Sequence, residues 1–177
     1  MRAALRETYE TKGLVGLHGF YRIQLEEKHG PDKGKIVGDS GWNHNLITSS
    51  GLTNFITQTF LRAAGSSAVS NVQIASAQSS LPTAGTTSMS GEIPKSNMTT
   101  LSTQSTARAA STNGDTARFL GTFTSNFLGA SSTIGAVGLY MTTSGSIFCG
   151  GSIASSTFGT TQSINVTYDV IFIASTS

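Results

Sequence analysis

The groups able to do chemistry are few. His18, His29 and His44 are the three imidazoles of the chain, and Cys149 is its single thiol. A zinc site needs three or four ligands that converge at ligand spacing, and the histidine spacing does not suggest one. One cysteine leaves no internal disulfide and no cysteine-based cluster. The histidines therefore read as polar loop residues, and Cys149, set in an apolar segment, as a buried thiol. Serine is abundant, but no Gly-x-Ser-x-Gly elbow aims one as a nucleophile. After residue 50 the only acids are Glu92, Asp115 and Asp169, so a carboxylate pair for glycoside hydrolysis has no support. Asp169 is expected to face solvent or to pair with Arg108 or Arg118.

Two glycine patterns fail their context. Gly13-x-x-Gly16-x-x-Gly19 has no strand before it and no helix after it, as a dinucleotide fingerprint requires. Gly30-Pro31-Asp32-Lys33-Gly34-Lys35 is too short for a phosphate loop, lacks the following Ser or Thr, and loses one N–H to Pro31. It reads as a hairpin turn. Neither a catalytic residue nor a cofactor or metal site is expected.

The composition explains this silence. Of 177 residues only 11% are charged, against about 25% in a typical soluble domain. Serine and threonine take their place, with 26 and 25 copies. The length suits one domain. A formal charge of +2 is too small for an electrostatic claim on nucleic acid. No run approaches the ~20 apolar residues of a membrane helix, and no secretory signal is expected. Charge is also uneven: residues 1–50 hold 7 basic and 6 acidic side chains, and residues 51–177 only 4 and 3. The first region relies on ions for its solvation and the second on hydroxyls.

The elements follow from periodicity. Residues 1–18 read as an N-terminal arm, of which 1–12 are mixed in charge and weakly amphipathic, either a frayed terminus or an arm ordering against a neighbouring subunit. In the second case Arg2, Arg6, Tyr9 and Lys12 are candidate subunit contacts, together with Trp42. Phe20, Arg22, Gln24 and Glu26 alternate with Tyr21, Ile23 and Leu25, the signature of a half-buried strand. With the turn at residues 30–34 and a return strand to Trp42, residues 19–42 read as a charged β-hairpin. Leu52, Phe55, Ile56, Phe60 and Ala63 mark the apolar face of one amphipathic helix over about 49–64, capped by Thr48, Ser49 or Ser50.

Strands are expected within 72–174. Residues 78–100 form a long connection, 101–112 an edge strand, and the last strand, near 163–174, lies mid-sheet. The chain is thus expected to be mainly β: a single β-sandwich domain over 19–177, with an N-terminal hairpin and one helix.

One order of phrases is distinctive. Trp42-x-x-Asn45-Leu46-Ile47-Thr48-x-x-Gly51-Leu52 opens the helix. Val72-Gln73-Ile74-Ala75 follows, then Leu81-Pro82-Thr83-Ala84-Gly85, Phe119-Leu120-Gly121-Thr122-Phe123, Thr133 to Tyr140, and Ser163 to Tyr168. Over roughly residues 19–174 this order resembles a loose group of tailed-bacteriophage virion proteins of tail, tail-fibre and other structural kinds. The resemblance implies a non-enzymatic β-sandwich that self-assembles, and it carries over no catalytic residues. The partners so implied are other copies of the chain and other virion proteins, not nucleic acid or membrane, and the location is the virion. The expected role is a capsid decoration or cement protein, or a tail or neck component. The alternative is a receptor- or carbohydrate-binding tail-fibre module, which calls for exposed aromatics, with Tyr9, Trp42 and Tyr140 as candidates.

Overall fold

The computed structural model describes residues 16–57, 69, 71–75, 83–89, 99–100, 102–106, 115–124, 132–141 and 146–173. The two-residue alternation read from the sequence becomes a mainly β chain. Its strands are β1 (Gly16–Glu27), β2 (Ile36–Asp39), β3 (Asn43–Ile47), β4 (Asn71–Ala75), β5 (Thr99–Thr100), β6 (Ser102–Thr106), β7 (Asp115–Phe123), β8 (Ser132–Tyr140), β9 (Ile147–Phe158) and β10 (Gln162–Ile173). A helix, α1 (Ser49–Ile56), lies between β3 and β4.

Hydrogen bonding runs unbroken in the order β5-β4-β8-β9-β3-β1-β10-β7-β6, with β2 also paired to β1. Every pairing is antiparallel. In place of two separate sheets the strands thus form one continuous hydrogen-bonded sheet, and β3 joins its two parts. Asn43, His44 and Asn45 pair with β1, while Leu46 and Ile47 pair with β9. Strands far apart in this order share one core. Tyr21, Ile23, Val166 and Tyr168 from β1 and β10 pack with Val72, Ile74, Val137 and Leu139 from β4 and β8. Burying this cluster is the main stabilising term. Two tyrosines cross it with satisfied hydroxyls: Tyr21 Oη donates to the Ser152 carbonyl at 2.7 Å, and Tyr168 Oη to the Val137 carbonyl at 2.9 Å.

The charged hairpin is present, and β1 begins earlier than expected. Gly16, Leu17 and His18 already pair with Ile173, Phe172 and Ile171 of β10. β10 lies mid-sheet, flanked by β1 and β7, and β6 forms an edge, both as expected. A strand read over Ile147–Ile153 runs on to Phe158 as β9, and Asp115, whose Asn113-Gly114-Asp115 sequence reads as a turn, belongs to β7.

The helix departs from its expected packing. Its described part ends at Ile56, and Phe60 and Ala63 lie outside the described residues. Leu52 and Ile56 of the amphipathic face point to solvent. What docks α1 is its first turn. Thr48 N donates to the Phe148 carbonyl (3.1 Å) and Thr48 Oγ1 to the Ile147 carbonyl (2.7 Å), while Oγ1 accepts from Gly51 N (3.0 Å) as the N-cap. Gly51 lies so close to β9 that a Cβ there would sit 2.1 Å from the Phe148 oxygen. Backbone contact replaces side-chain burial at this turn, and Leu52 and Ile56 are left exposed.

Candidate interaction surface

Between β2 and β3 the chain carries one residue more than β1 opposite it. Asp39 pairs with Gln24 and Asn43 with Tyr21, so Ser40, Gly41 and Trp42 face only Arg22 and Ile23. This bulge has a stated cause. Gly41 adopts φ +65°, a conformation that costs glycine no side-chain clash. Gly41 N donates to Asp39 Oδ1 at 2.9 Å, and Asn43 Nδ2 to the Ser40 and Gly41 carbonyls at 3.2 Å. The bulge carries Trp42, which is 40% exposed, and the Arg118 guanidinium lies 5.8 Å from its ring centre.

Arg118 in turn holds Asp169. Its Nε lies 2.7 Å from Asp169 Oδ1 and its Nη2 2.9 Å from Oδ2, a two-pronged pair between neighbouring strands. Of the two arrangements expected for Asp169, pairing with Arg118 is the one found. The carboxylate is fully buried, not at the surface. Directly across the sheet from Asp169 is Phe20, and across from Phe20 is His44. The Phe20 and His44 rings meet edge to face at 5.2 Å, and His18 meets His44 at 6.0 Å.

The histidine expectation needs correcting. His29 is a turn residue, but His18 and His44 are strand residues, and His18 is buried. Burial lowers the His18 pKa first, and the nearby His44 lowers it further. Strand β3, laid against β1 by the bulge, brings these two rings together. The spacing of 26 residues between them carries no local signal of that.

At the other end of the bulge Asp39 accepts from Arg22 Nε (2.9 Å) and Gln24 Nε2 (3.1 Å), and Arg22 Nη2 also bonds it. The Arg22 hydrogen bonds, helped by Gly41 N, hold its carboxyl well below the usual range. Lys28 pairs with Glu26 at 2.7 Å and Lys35 with Asp32 at 2.5 Å, both near the hairpin tip.

Of the expected contact residues, Trp42 is exposed on this surface. Arg2, Arg6, Tyr9 and Lys12 lie outside the described residues. Tyr140, considered as an exposed aromatic, is fully buried, where it packs with Met89, Ala136 and Ile147. Cys149 is buried and free, and desolvation pushes its thiol pKa up. Among the described residues no cluster of three or more His, Cys, Asp or Glu could hold a metal ion.

The large hydrophobic side chains left exposed among the described residues are Ile36, Val37, Trp42, Leu46, Leu52 and Ile56. They fall within one stretch, residues 36–56, which is β2, the bulge, β3 and α1. Periodicity marked Leu52 and Ile56 as core, so this concentration was not legible in the sequence. No family model, curated protein or solved structure matches the chain.

Proposed function

We propose that the chain is a non-enzymatic structural protein of a bacteriophage virion, self-assembling as a capsid decoration or cement protein or as a tail or neck component. The observation that carries this reading is the gathering of exposed apolar side chains into residues 36–56. Single exposed hydrophobics are ordinary, whereas six within one stretch of a hydroxyl-rich chain of low overall charge suit contact with another protein. The nearby ionic groups support the same reading. Arg118 and Asp169 brace adjacent strands, and Arg22 and Asp39 brace the bulge.

The test is solution mass by light scattering of the purified chain, with electron microscopy of the same sample. A closed oligomer, ring or tube is the expected result. A monomer at every concentration would overturn self-assembly. The second reading, a receptor- or glycan-binding tail-fibre module, is favoured by one observation: a half-exposed tryptophan beside an arginine. Under that reading Trp42→Ala abolishes glycan binding and leaves the oligomer intact.

A further inference from the structure

We infer that residues 83–89 form a strap that positions α1 on the sheet, and that Met89 is the residue that anchors it. α1 carries Leu52 and Ile56, two of the exposed apolar side chains on which the self-assembly reading above rests, so a role for the strap in assembly depends on that reading. Periodicity marks these residues only as part of a long connection, yet they bond to three elements. The Ala84 carbonyl accepts from Ser49 N of α1 at 2.7 Å, and the Thr87 carbonyl from Ile147 N of β9 at 3.0 Å. Met89 N donates to the Tyr140 hydroxyl of β8 at 3.3 Å. A turn keeps Ala84 in place: Thr86 N donates to the Thr83 carbonyl at 3.0 Å, and Thr83 N to Thr86 Oγ1 at 2.8 Å.

Thr83, Ala84, Gly85, Thr87 and Ser88 are exposed, so what seats the strap is its last residue. Met89 is buried and packs with Ala136, Tyr140 and Ile147, a small cluster separate from the main core. In β8 these positions alternate with Val137 and Leu139 of the main core, so Met89 lies on the opposite face of the sheet. Gly138 makes the seat. A Cβ there would lie 3.2 Å from Met89 Sδ and 2.9 Å from Ile147 Cδ1. The first turn of α1 is thereby gripped from two directions, by β9 through Thr48 and by the strap through Ser49. With Leu52 and Ile56 exposed, this grip rather than burial of those two side chains sets where they point.

Hydrogen exchange of the full chain, read by mass spectrometry, tests the strap. Met89→Ala empties the seat, and Met89→Leu refills it with a side chain of similar volume. Ser49→Pro cuts the link at its other end: it removes the N–H that Ala84 accepts and sets the ring against that oxygen. Proline is tolerated at this first helical position, and Thr48 before it already has ψ 163°, the extended backbone that proline imposes on its predecessor. Met89→Ala is expected to speed exchange of residues 48–52 about tenfold, with residues 20–26 of β1 unchanged, and to weaken association about tenfold. Met89→Leu restores both, Ser49→Pro reproduces both, and Met89→Ala adds nothing to Ser49→Pro. Exchange that rises equally in β1, or not at all at residues 48–52, overturns the strap. Selective exchange with association unchanged overturns its part in assembly and leaves the assembly reading standing. A wild type that is monomeric at every concentration overturns the assembly reading, and the exchange result alone then decides whether the strap holds α1.

Discussion

The Tyr168 hydroxyl on β10 donates to the Val137 carbonyl on β8 at 2.9 Å, although β9, β3 and β1 lie between those strands in the sheet. This bond crosses the core that β10 and β8 share. Burial raises the Tyr168 pKa well above its ordinary value, so the hydroxyl keeps its proton and stays a donor. Tyr168→Phe is expected to keep the packing and to cost about 1–2 kcal/mol, the effect of an unmade buried hydrogen bond. Urea unfolding measures it. An unchanged midpoint would show that the bond does not hold this core together.

Arg118 and Asp169 predict an asymmetry. Asp169 is fully buried and Arg118 is 37% exposed in its side chain. Arg118→Met strands a buried carboxylate and is expected to cost about 3 kcal/mol, the low end for a broken buried pair, because water partly screens the arginine. Asp169→Asn leaves an arginine that water can reach and is expected to cost less. Equal losses in the two variants would contradict the burial argument.

Gly51 and Leu52 are neighbours with opposite expectations. Gly51→Ala drives a Cβ into the Phe148 oxygen and is expected to destabilise by about 1–3 kcal/mol. Leu52→Ala removes an exposed side chain and is expected to change the stability of the isolated chain by under about 0.5 kcal/mol. Thermal unfolding of both variants checks this. A larger loss for Leu52→Ala would mean that the Leu52 side chain is buried after all.

His18 gives the pH dependence a sign. Its pKa is lower in the folded chain than the ordinary ~6.5 of an exposed histidine, so the unfolded chain binds the proton more readily. Stability is therefore full above about pH 6.5 and falls as the pH drops below it. Asp39 and Glu26 have lowered pKa values in the folded chain, and their contribution is lost only further down, below about pH 4. Urea midpoints at several pH values between 8 and 5 should show the first slope, and His18→Gln should flatten it. An unaltered slope would assign it to another group.

Alternation alone divided β1 into Tyr21, Ile23 and Leu25 on one side and Phe20, Arg22, Gln24 and Glu26 on the other, and the core lies on the first side. The same local information placed the turn at Gly30–Gly34, where both glycines have positive φ, and narrowed the cap to Thr48, Ser49 or Ser50, of which the chain uses Thr48. These features need only a few adjacent residues, since strand pleat, turn sterics and capping act over one to four positions. Phe20 shows the limit. It shares a side with charged residues and is nonetheless buried, because His44 is brought onto it by a bulge twenty residues later.

Sequence by itself thus determined that the chain is mainly β, where its charged hairpin lies and which residues share a strand face. Tertiary structure alone decided which faces are covered. It left Leu52 and Ile56 of α1 exposed, buried Asp169 against Arg118 and laid His44 against Phe20. The reason is physical: periodicity is a property of neighbouring residues, whereas burial depends on a covering strand supplied by a distant part of the chain.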